Sequence, residues 1–298
     1  MTSSLGTAPW TVEDLPPQAG RTVIITGAGS GLGLETTRAL AVAGAHVVMA
    51  VRDVPRARQA AAHLPGATEV RHLDLADLAS VRAFAASVDH PVDTLINNAG
   101  VANVPLGRTR DGFETHFGTN HLGHFALTNL LLPQITDRVV TIASNAHKSA
   151  SLDLSDPNWE RRPYRSAAAY GQSKLANLLF TLELQRRLTQ AGSTVRAHAA
   201  HPGAATTGLN RHLGPVMKLV AATVGRLIMQ SETDGALPIL FAATQDLDGA
   251  SYVGPDGRGE QRGRPTLVPR SATAQDPSLA AELWDLSERL TGTVFPLA

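Results

Sequence analysis

Short apolar runs alternate with Ala- and Leu-rich stretches along most of the chain. The runs are almost continuous in apolar residues, as expected for strands of a parallel sheet that is covered on both faces. They predict strands at residues 21–26, 46–51, 69–73, 92–97, 138–143 and 194–200, with a candidate seventh at 252–253. The intervening stretches predict helices at residues 32–43, 54–63, 77–87, 111–132, 166–189 and 277–291.

Strands that alternate with helices are joined by right-handed crossovers. The pattern therefore predicts an α/β protein, a single-domain Rossmann-type doubly wound parallel sheet with helices on both faces. The chain has 298 residues, and it shows no internal repeat and no Pro/Gly-rich linker in its middle. We expect one domain at residues 21–298 after an N-terminal extension at residues 1–20. Residues 254–277 are rich in Gly, Pro and Arg and predict an irregular loop.

The balance of charges and the absence of cysteine exclude several kinds of partner and of site. The 26 Lys and Arg residues equal the 26 Asp and Glu residues in number, so no net field favours nucleic acid. The chain has no cysteine, which excludes a catalytic thiolate, a cysteine-based metal site and disulfides. His121 and His124 show no H-E-x-x-H pattern, so we expect structural histidines and no metal. We expect no signal peptide and no membrane span, which predicts a cytoplasmic protein.

The first predicted strand runs into a glycine-rich loop, from Thr26 to Gly33, that opens the first helix. Glycines let a backbone approach a pyrophosphate, and a helix N-terminus offers unpaired N–H groups and partial positive charge. The loop is therefore predicted to bind a dinucleotide through Gly27, Ser30, Gly31, Leu32 and Gly33. A tight strand–helix turn without a ligand and a methyltransferase loop are the alternatives.

The second predicted strand ends in Val51, which is followed by Arg52 and Asp53. An acid near this position would bind a ribose 2′-hydroxyl, whereas an arginine would pair with a 2′-phosphate. Successive side chains of a strand point to opposite faces, and Asp53 suits the cap of the next helix, which leaves Arg52 for the cofactor. After the third strand, Asp74 and Leu75 are candidates for the adenine, with a helix cap as the alternative for Asp74.

Tyr170 and Lys174 stand four residues apart in a predicted helix, which places them on one face. A nearby ammonium group favours the tyrosinate and lowers the pKa of the phenol. With three tyrosines and three lysines in the chain, random placement would give about 0.03 pairs at this spacing. Ser144 follows the fifth strand, on the edge of the sheet where ligands bind, and no G-x-S-x-G surrounds it. A surface pair and a turn cap are the alternative interpretations.

Together these residues resemble the markers of the short-chain dehydrogenase/reductase family, and especially of its retinol-dehydrogenase-like branch. The resemblance covers residues 21–252. Its markers occur in order: the glycine loop, Asp74-Leu75, Asn97-Asn98-Ala99-Gly100, Asn120, Ser144, Tyr170 with Lys174, and Pro202-Gly203. The branch is indicated by NHLGHF from Asn120, by YGQSKLAN from Tyr170 and by His201 before Pro202.

The resemblance implies a role for each matching residue. Tyr170 would be the general acid in reduction and the base in oxidation. Lys174 would bind the nicotinamide ribose and lower the pKa of Tyr170, and Ser144 would hydrogen-bond the substrate oxygen. Asn120 would hold a helix irregularity and a water that connects Lys174 to solvent. The implied cofactor contacts further along the chain are Asn98, Ala99, Gly100, Pro202, Gly203 and Thr207.

The implied activity is hydride transfer between a nicotinamide cofactor and a carbonyl/alcohol substrate. NADP is favoured because relatives that use NAD commonly carry an acid at the position of Val51, which Arg52 follows here. Aliphatic residues and Trp159 in the loops at 145–169, 209–229 and 254–277 suggest an apolar or bulky substrate. An NAD-dependent alcohol dehydrogenase and a nucleotide-sensing protein without turnover are the alternatives. The family resemblance also implies a homo-oligomer.

Overall fold

The computed structural model describes residues 10–204 and 230–297. Within these residues the chain builds one eight-stranded sheet, with the strand order β3-β2-β1-β4-β5-β6-β7-β8. The strands are β1 (Thr22–Thr26), β2 (His46–Val51), β3 (Thr68–His72), β4 (Val92–Asn97), β5 (Ile135–Ile142), β6 (Arg196–Ala200), β7 (Tyr252–Pro255) and β8 (Pro265–Leu267). All neighbouring strands are parallel except β7 and β8, which are antiparallel. The strand order reverses between β1 and β4, which confirms the doubly wound topology.

Helices cover both faces of the sheet, as predicted. They are α1 (Gly31–Val42), α2 (Val54–Ala61), α3 (Leu78–Ala86), α4 (Gly123–Leu131), α5 (Ser166–Gln190), α6 (Glu232–Thr244) and α7 (Pro277–Thr291). On one face, α1, α2 and α6 share an apolar cluster with the sheet. On the other face, α3, α4 and α5 do so, together with Trp284 of α7.

The central strand shows why the apolar runs are almost continuous. Val23 and Ile25 of β1 belong to the cluster on the α1 face, whereas Ile24 belongs to the cluster on the α4 face. All three side chains are at most 1% exposed. Successive side chains of a strand point to opposite faces, so a strand covered on both faces has no polar positions to alternate with.

Acidic caps fix where several helices begin. The carboxylate of Asp53 accepts a hydrogen bond from the N–H of Arg56 at the start of α2. Asp77 does the same for the first turn of α3, and Asp276 for that of α7. An N-cap of this kind satisfies N–H groups that have no partner inside the helix.

Three regions differ from the prediction. The predicted helix at residues 111–132 contains a π-helical segment, Phe117–Leu122, and its regular α-helical part begins only at Gly123. Helix α6 was not predicted, because nearly every side chain from Gly235 to Ala243 is buried and no amphipathic period marks it. Residues 254–277 were predicted to form an irregular loop, but part of this stretch forms β8, which pairs with β7 as a hairpin.

The described part of the N-terminal extension packs against the α6 face. The rings of Trp10 and Phe241 meet edge to face, with centroids 5.4 Å apart. Gln18 is buried, and its backbone N–H donates to the carbonyl of Ala43 at the end of α1. These contacts tie residues 10–20 to the side of the sheet that carries the glycine loop.

Candidate active site

The carboxyl ends of β1, β4, β5 and β6 meet at one edge of the sheet, around the point where the strand order reverses. Ligands of open α/β sheets bind in the crevice outside these ends. The predicted site residues follow the strands in turn: the glycine loop after β1, Asn98 to Gly100 after β4, Ser144 after β5 and Pro202-Gly203 after β6. The fold therefore brings residues that are far apart in the sequence to one edge.

The glycine loop packs so closely that larger side chains have no room. A Cβ at Gly27 would lie 2.9 Å from Ala99 Cα, and the φ of Gly27 is +67°. A Cβ at Gly33 would lie 2.5 Å from both Asn98 Nδ2 and the Gly27 carbonyl oxygen. The first N–H groups of α1 have no partner within the helix, so they can bind an anion such as a pyrophosphate. The loop thus fits a dinucleotide.

Thr26 joins the glycine loop to the turn after β4. Its Oγ1 accepts hydrogen bonds from the N–H groups of Asn98 and Ala99, each at 2.9 Å. The Asn98 side-chain amide donates to the Thr26 carbonyl at 2.8 Å. Asn98 therefore holds the loop itself in place, a role that the sequence did not reveal.

His124 links the same threonine to the π-helical segment. Its Nδ1 lies 3.0 Å from the Asn120 carbonyl oxygen, and its Nε2 lies 2.9 Å from Thr26 Oγ1. Burial lowers the pKa of His124 to about 4, so the ring is neutral near pH 7. The carbonyl accepts a hydrogen bond from the Nδ1–H group, which leaves Nε2 to accept one from the threonine hydroxyl. His124 is structural, as expected.

The end of β2 separates the two residues that compete for the ribose. Asp53 serves as the cap of α2, whereas Arg52 is exposed. Its guanidinium makes no hydrogen bond or ion pair within residues 10–204 and 230–297. A neighbouring cleft of about 510 Å³ is lined by Gly29, Ser30, Gly31, Leu34, Arg56, Gln59, Ala60, His63 and Glu232. Arg56, one turn beyond Arg52, is thus a basic residue beside the glycine loop that sequence reasoning missed.

The turn after β3 orders Asp74 and Leu75. The Asp74 carboxylate accepts from the N–H of Ala76 at 3.0 Å, which closes a local turn, while Asp77 is the residue that caps α3. Leu75 is buried against α4, where a Cβ at Gly123 would lie 2.4 Å from its carbonyl oxygen. The helix-cap alternative for Asp74 is therefore not what the structure has.

Ser144, Tyr170 and Lys174 converge at the end of β5. Ser144 caps the short 3-10 helix Asn145–Ser149, and its Oγ accepts from the N–H of Ala146 at 3.2 Å. Tyr170 and Lys174 lie one turn apart on α5, on the face toward β5. Lys174 is only 4% exposed, and its Nζ donates to the Ile142 carbonyl at 2.9 Å.

The pKa of Tyr170 differs from the expectation. Burial raises it above its usual value, and a hydrogen bond with Ser144 opposes that increase only in part. Lys174 Nζ lies 5.7 Å from the centroid of the Tyr170 ring and is turned to the Ile142 carbonyl. Burial also lowers the pKa of Lys174 to about 8. Desolvation, which favours the neutral phenol, therefore outweighs the nearby ammonium group in this structure.

Asn120 lies within the π-helical segment and is fully buried. Its Nδ2 donates to the Val101 carbonyl at 3.0 Å and to Ser173 Oγ at 2.9 Å, while its Oδ1 accepts from the Val101 N–H at 2.8 Å. A Cβ at Gly100 would lie 3.2 Å from this Oδ1 and 3.6 Å from Lys174 Nζ. The irregular helix thus holds Asn120 beside the lysine and against the turn after β4.

The turn after β6 is held by the β7–β8 hairpin, residues 252–267. Gly203 adopts a φ of +65°, and a Cβ there would lie 2.3 Å from the Gln261 carbonyl oxygen. Only glycine is compatible with both the φ and the close contact. Thr207, the last predicted cofactor contact, lies outside the described residues, as does the loop at 209–229.

A buried polar cluster beside Tyr170 escaped the sequence reasoning. The Glu114 carboxylate accepts from His116 Nδ1 at 2.8 Å, from the Phe117 N–H at 2.8 Å and from the Tyr164 hydroxyl at 3.1 Å. Burial raises the pKa of Glu114, but these hydrogen bonds hold it below its usual range. The His116 ring lies 6.0 Å from the Tyr170 ring, edge to face. No local motif marks this cluster, because Tyr164 lies 50 residues from Glu114 in the sequence.

Trp159 does not present an open apolar wall. Its side chain is 8% exposed, with the Arg162 guanidinium 3.9 Å from its ring centroid and Tyr164 against its edge. Stacking of this kind suits an arginine over an aromatic face. The tryptophan therefore stabilises the extended loop before α5 from within.

No helix in the described part of the chain is long and apolar enough to cross a membrane. Among the same residues, no group of three or more His, Cys, Asp or Glu side chains could hold a metal ion.

Comparisons with known proteins agree with this geometry. Residues 21–217 match the family model described as short chain dehydrogenase. Retinol dehydrogenase 13 of Homo sapiens is 41% identical, over 93% of this chain and 86% of that protein. The polyprenol dehydrogenase of Mus musculus is 40% identical, again over 93% and 86%.

Comparison with solved structures also finds proteins of similar fold and sequence. An uncharacterized protein from Mycobacterium paratuberculosis has a TM-score of 0.85 at 53% identity, covering 97% of this chain and all of that one. A protein assigned as an NAD(P)-dependent gluconate 5-dehydrogenase from Beutenbergia cavernae, with NADP bound, has a TM-score of 0.58 at 30% identity. That comparison covers 77% of this chain and 92% of the other.

Proposed function

The chain belongs to the short-chain dehydrogenase family and is a nicotinamide-dependent oxidoreductase, and from this premise we propose that it uses NADP(H) to interconvert an apolar alcohol and its carbonyl compound. The observation that carries the proposal is the convergence of Ser144, Tyr170 and Lys174 beside the glycine loop. A proton donor, a hydrogen-bonding hydroxyl and a buried cation are what hydride transfer to a carbonyl requires from a protein.

In this reaction Tyr170 would donate a proton to the carbonyl oxygen during reduction and accept it back during oxidation. Its raised pKa keeps the phenol protonated at rest, in the form needed for reduction. Ser144, which hydrogen-bonds Tyr170, would donate to the same substrate oxygen and stabilise the charge that develops there. With a pKa of about 8, Lys174 is mostly charged near pH 7 and would stabilise the tyrosinate that forms.

The cofactor, when bound, supplies or accepts the hydride. The residues that would hold it are those of the glycine loop, Asp74 and Leu75 for the adenine, and Asn98 to Gly100 with Pro202 and Gly203 for the nicotinamide half. Two features support this placement: the glycine cradle that a Cβ would fill, and the first N–H groups of α1, which an anion can occupy. Asn120 would support Lys174 from the π-helical segment.

The preference for NADP rests on the residues after β2. Asp53 is occupied as the cap of α2, so it is poorly placed to bind a ribose 2′-hydroxyl. Arg52 is exposed, and Arg56 lines the cleft that also contains Ser30 and Gly31. Two guanidinium groups near the glycine loop suit a 2′-phosphate, which NAD lacks. The NADP in the solved relative is compatible with this proposal.

The substrate class is inferred from the relatives. They are named for retinol and for polyprenol, two apolar alcohols. The chain is about 40% identical to them over nearly its whole length, so an apolar alcohol or aldehyde is the natural first class to test.

A carbonyl panel tests the cofactor and the substrate together. We would measure kcat/KM for retinal, citral and hexanal, and for the polar 5-ketogluconate, each with NADPH and with NADH. We expect turnover of the apolar aldehydes, with kcat/KM at least about tenfold higher for NADPH, the scale of one charged contact. Preference for NADH or for the polar ketone would contradict the proposal. NADPH binding without turnover of any carbonyl, or of the matching alcohols with NADP, would favour a nucleotide-sensing protein instead.

A further inference from the structure

The tip of the β7–β8 hairpin, residues 257–263, contacts the turn that carries Ser144. Asn145 Nδ2 donates to the carbonyl oxygens of Gly259 and Glu260, at 3.1 and 3.3 Å. Lys148 Nζ lies 2.7 Å from Glu260 Oε1 in an ion pair. Two backbone carbonyls and one carboxylate of the tip therefore hold the short helix Asn145–Ser149, which Ser144 caps.

The same tip contacts the turn after β6. Glu260 Oε2 lies 3.1 Å from His201 Nε2, an electrostatic contact in which the two atoms are not aligned as a hydrogen bond. His201 Nδ1 in turn accepts a hydrogen bond from the Gly203 N–H at 3.3 Å. The Gln261 carbonyl accepts from the Ala204 N–H at 2.7 Å. One carboxylate thus connects the turn that carries Ser144 with the turn that carries Gly203.

The protonation state of His201 decides which of its ring nitrogens carries the proton. Burial lowers the pKa of His201 to about 4, although the Glu260 carboxylate opposes that decrease. The ring is therefore neutral near pH 7. Since Nδ1 accepts from Gly203, the single proton resides on Nε2, the atom that faces the carboxylate. Each of the two carboxylate oxygens of Glu260 then has a proton-bearing nitrogen beside it.

The backbone conformation of Glu260 indicates that a glutamate stands here because of its side-chain contacts and not because of the turn. Its φ is +55°, in the left-handed region that favours glycine. Glycine would adopt this φ without strain, so a turn alone would be better served by glycine. Strain at a residue that other contacts hold in place is typical of functional sites.

We propose that Glu260 is a positioning residue: through Lys148 and His201 it fixes the separation between Ser144 and the Pro202-Gly203 turn. The proposal rests on the proposed function, in which Ser144 binds the substrate oxygen and Gly203 borders the nicotinamide. The separation of these two turns then sets the distance over which the hydride moves. Misplacement by about 1 Å costs on the order of 10²-fold in rate, so a small displacement has a measurable effect.

The test compares Glu260→Gln, Lys148→Met and the double variant with Arg258→Gln, an exposed residue on the same hairpin tip. For the fastest carbonyl of the panel we would measure kcat, KM and the primary isotope effect with NADPH deuterated at the transferred position. We expect kcat to fall about 10- to 100-fold in Glu260→Gln while KM changes less, and the isotope effect to rise because hydride transfer becomes slower. The double variant should be no slower than the slower single variant, since both break one connection.

A second variant guards against misfolding. Glu260→Gly removes the carboxylate and also relieves the backbone strain, so its thermal midpoint should be no lower than that of Glu260→Gln. A loss of kcat in this stably folded variant supports positioning. Wild-type kcat and isotope effect in Glu260→Gln, or an equal loss in Arg258→Gln, would overturn it.

The two proposals fail in different ways. If Tyr170→Phe retains turnover, the proposed function is wrong. If Tyr170→Phe is inactive but Glu260→Gln behaves as wild type, only the positioning role is wrong. The fluorescence of bound NADPH adds a readout independent of turnover, because its emission maximum reports the surroundings of the nicotinamide. We expect it to shift in Glu260→Gln and to stay unchanged in Arg258→Gln.

Discussion

The two ends of the active-site edge are built in different ways. At the β1 end, backbone meets backbone: the glycines lie against Ala99 and against each other, and Thr26 hydrogen-bonds the neighbouring turn. At the β7 end, side chains join segments that are far apart in sequence, such as Lys148 and Glu260, separated by 112 residues. The first end depends on small residues at fixed spacing, and the second depends on charge and on long-range pairing.

Both ends also contain a buried, neutral histidine that connects two loops. His124 links Thr26 to the Asn120 carbonyl. His201 links Gly203 to Glu260. The partners of His124 are uncharged, whereas His201 faces a carboxylate. The glycine-loop end is therefore joined by hydrogen bonds between neutral groups. The hairpin end adds a carboxylate contact to the hydrogen bonds that the backbone of its tip accepts.

The largest expected effect lies between the two ends, at Tyr170. We expect Tyr170→Phe to lower kcat by about 10²–10⁴-fold, the contribution of general acid catalysis, because the phenylalanine ring cannot donate a proton. The dissociation constant for NADPH should remain near the wild-type value, since both ends that are proposed to hold the cofactor are intact. Steady-state kinetics together with NADPH titration would check this, and activity within a few-fold of wild type would contradict the role given to Tyr170.

The next effect separates the glycine-loop end from the rest. A valine at Gly33 would place its Cβ 2.5 Å from Asn98 Nδ2 and from the Gly27 carbonyl oxygen. We expect Gly33→Val to weaken NADPH binding about 10- to 100-fold, in line with the cost of overpacking. Nucleotide titration of protein shown by circular dichroism to be folded would measure this.

Gly29→Ala is the matched control in the same loop. Its Cβ would lie 3.3 Å from the Ala57 Cβ, a contact that a small adjustment can relieve. We expect nearly wild-type affinity. Equal losses in both variants would mean that the loop tolerates no change for reasons other than the close contact at Gly33.

An effect of similar size, confined to one cofactor, distinguishes NADPH from NADH. Arg52→Ala and Arg56→Ala should each weaken NADPH binding by about 1.5–3 kcal/mol, the scale of a charged hydrogen bond, and leave NADH binding unchanged. Asp53→Asn, which keeps a capping side chain, is the control and should alter neither affinity. If Arg52→Ala weakens both cofactors equally, or if Asp53→Asn impairs NADH binding alone, the ribose contact belongs to Asp53.

The last effect concerns pH and compares the two histidines. The pKa of His124 and that of His201 fall to about 4 on folding, from an ordinary value of 6.5. Between pH 4 and pH 6.5 the unfolded chain binds more protons than the folded chain. The contribution of each neutral histidine to the free energy of unfolding is therefore complete above pH 6.5 and decreases as the pH falls toward 4. Each histidine contributes a slope of about 1.4 kcal/mol per pH unit inside this window.

Urea unfolding at several pH values between 4 and 7 would measure these slopes. Replacing one histidine, as in His124→Gln or His201→Gln, should lower the slope of the free energy of unfolding against pH in that window by the amount that corresponds to one proton. An unchanged slope in either variant would show that the histidine is not buried in its neutral form. Above pH 7 the slopes of both variants and of the wild type should coincide.

Sequence reasoning succeeded where the signal was local. The strands of the sheet up to β6 appear in the residue pattern because they are apolar and are bounded by turn residues. Gly27 and Gly33 were predicted because a strand–turn–helix of fixed length requires them, and Asp53 was correctly predicted as a cap because capping depends on neighbouring residues. The same locality explains why Tyr170 and Lys174 could be paired from their spacing alone.

It failed where burial or distant residues decide. Helix α6 contains Pro238 and is buried on all sides, so neither propensity nor period indicates it. Strand β8 has three residues and exists because it pairs with β7. The predicted decrease in the pKa of Tyr170 missed the desolvation that comes from its surroundings in the folded chain. The partners of Glu260 lie in two distant stretches of the sequence, at residues 145–148 and at His201, which no local motif records.

The π-helical segment Phe117–Leu122 makes one region of the chain intolerant of changes in length. A π turn holds one more residue than an α turn, and each residue of an α-helix advances about 100° around the axis. The extra residue is therefore taken up within the segment, and deleting one residue there would restore regular α geometry while the Glu114 cluster and α4 kept their present faces. The wider turn that carries Asn120 would be lost. Its hydrogen bonds to Val101 and Ser173, which place it beside Lys174, depend on that wider turn. Substitutions in this segment can be absorbed one at a time, but a single-residue deletion would displace Asn120 from two otherwise intact surfaces.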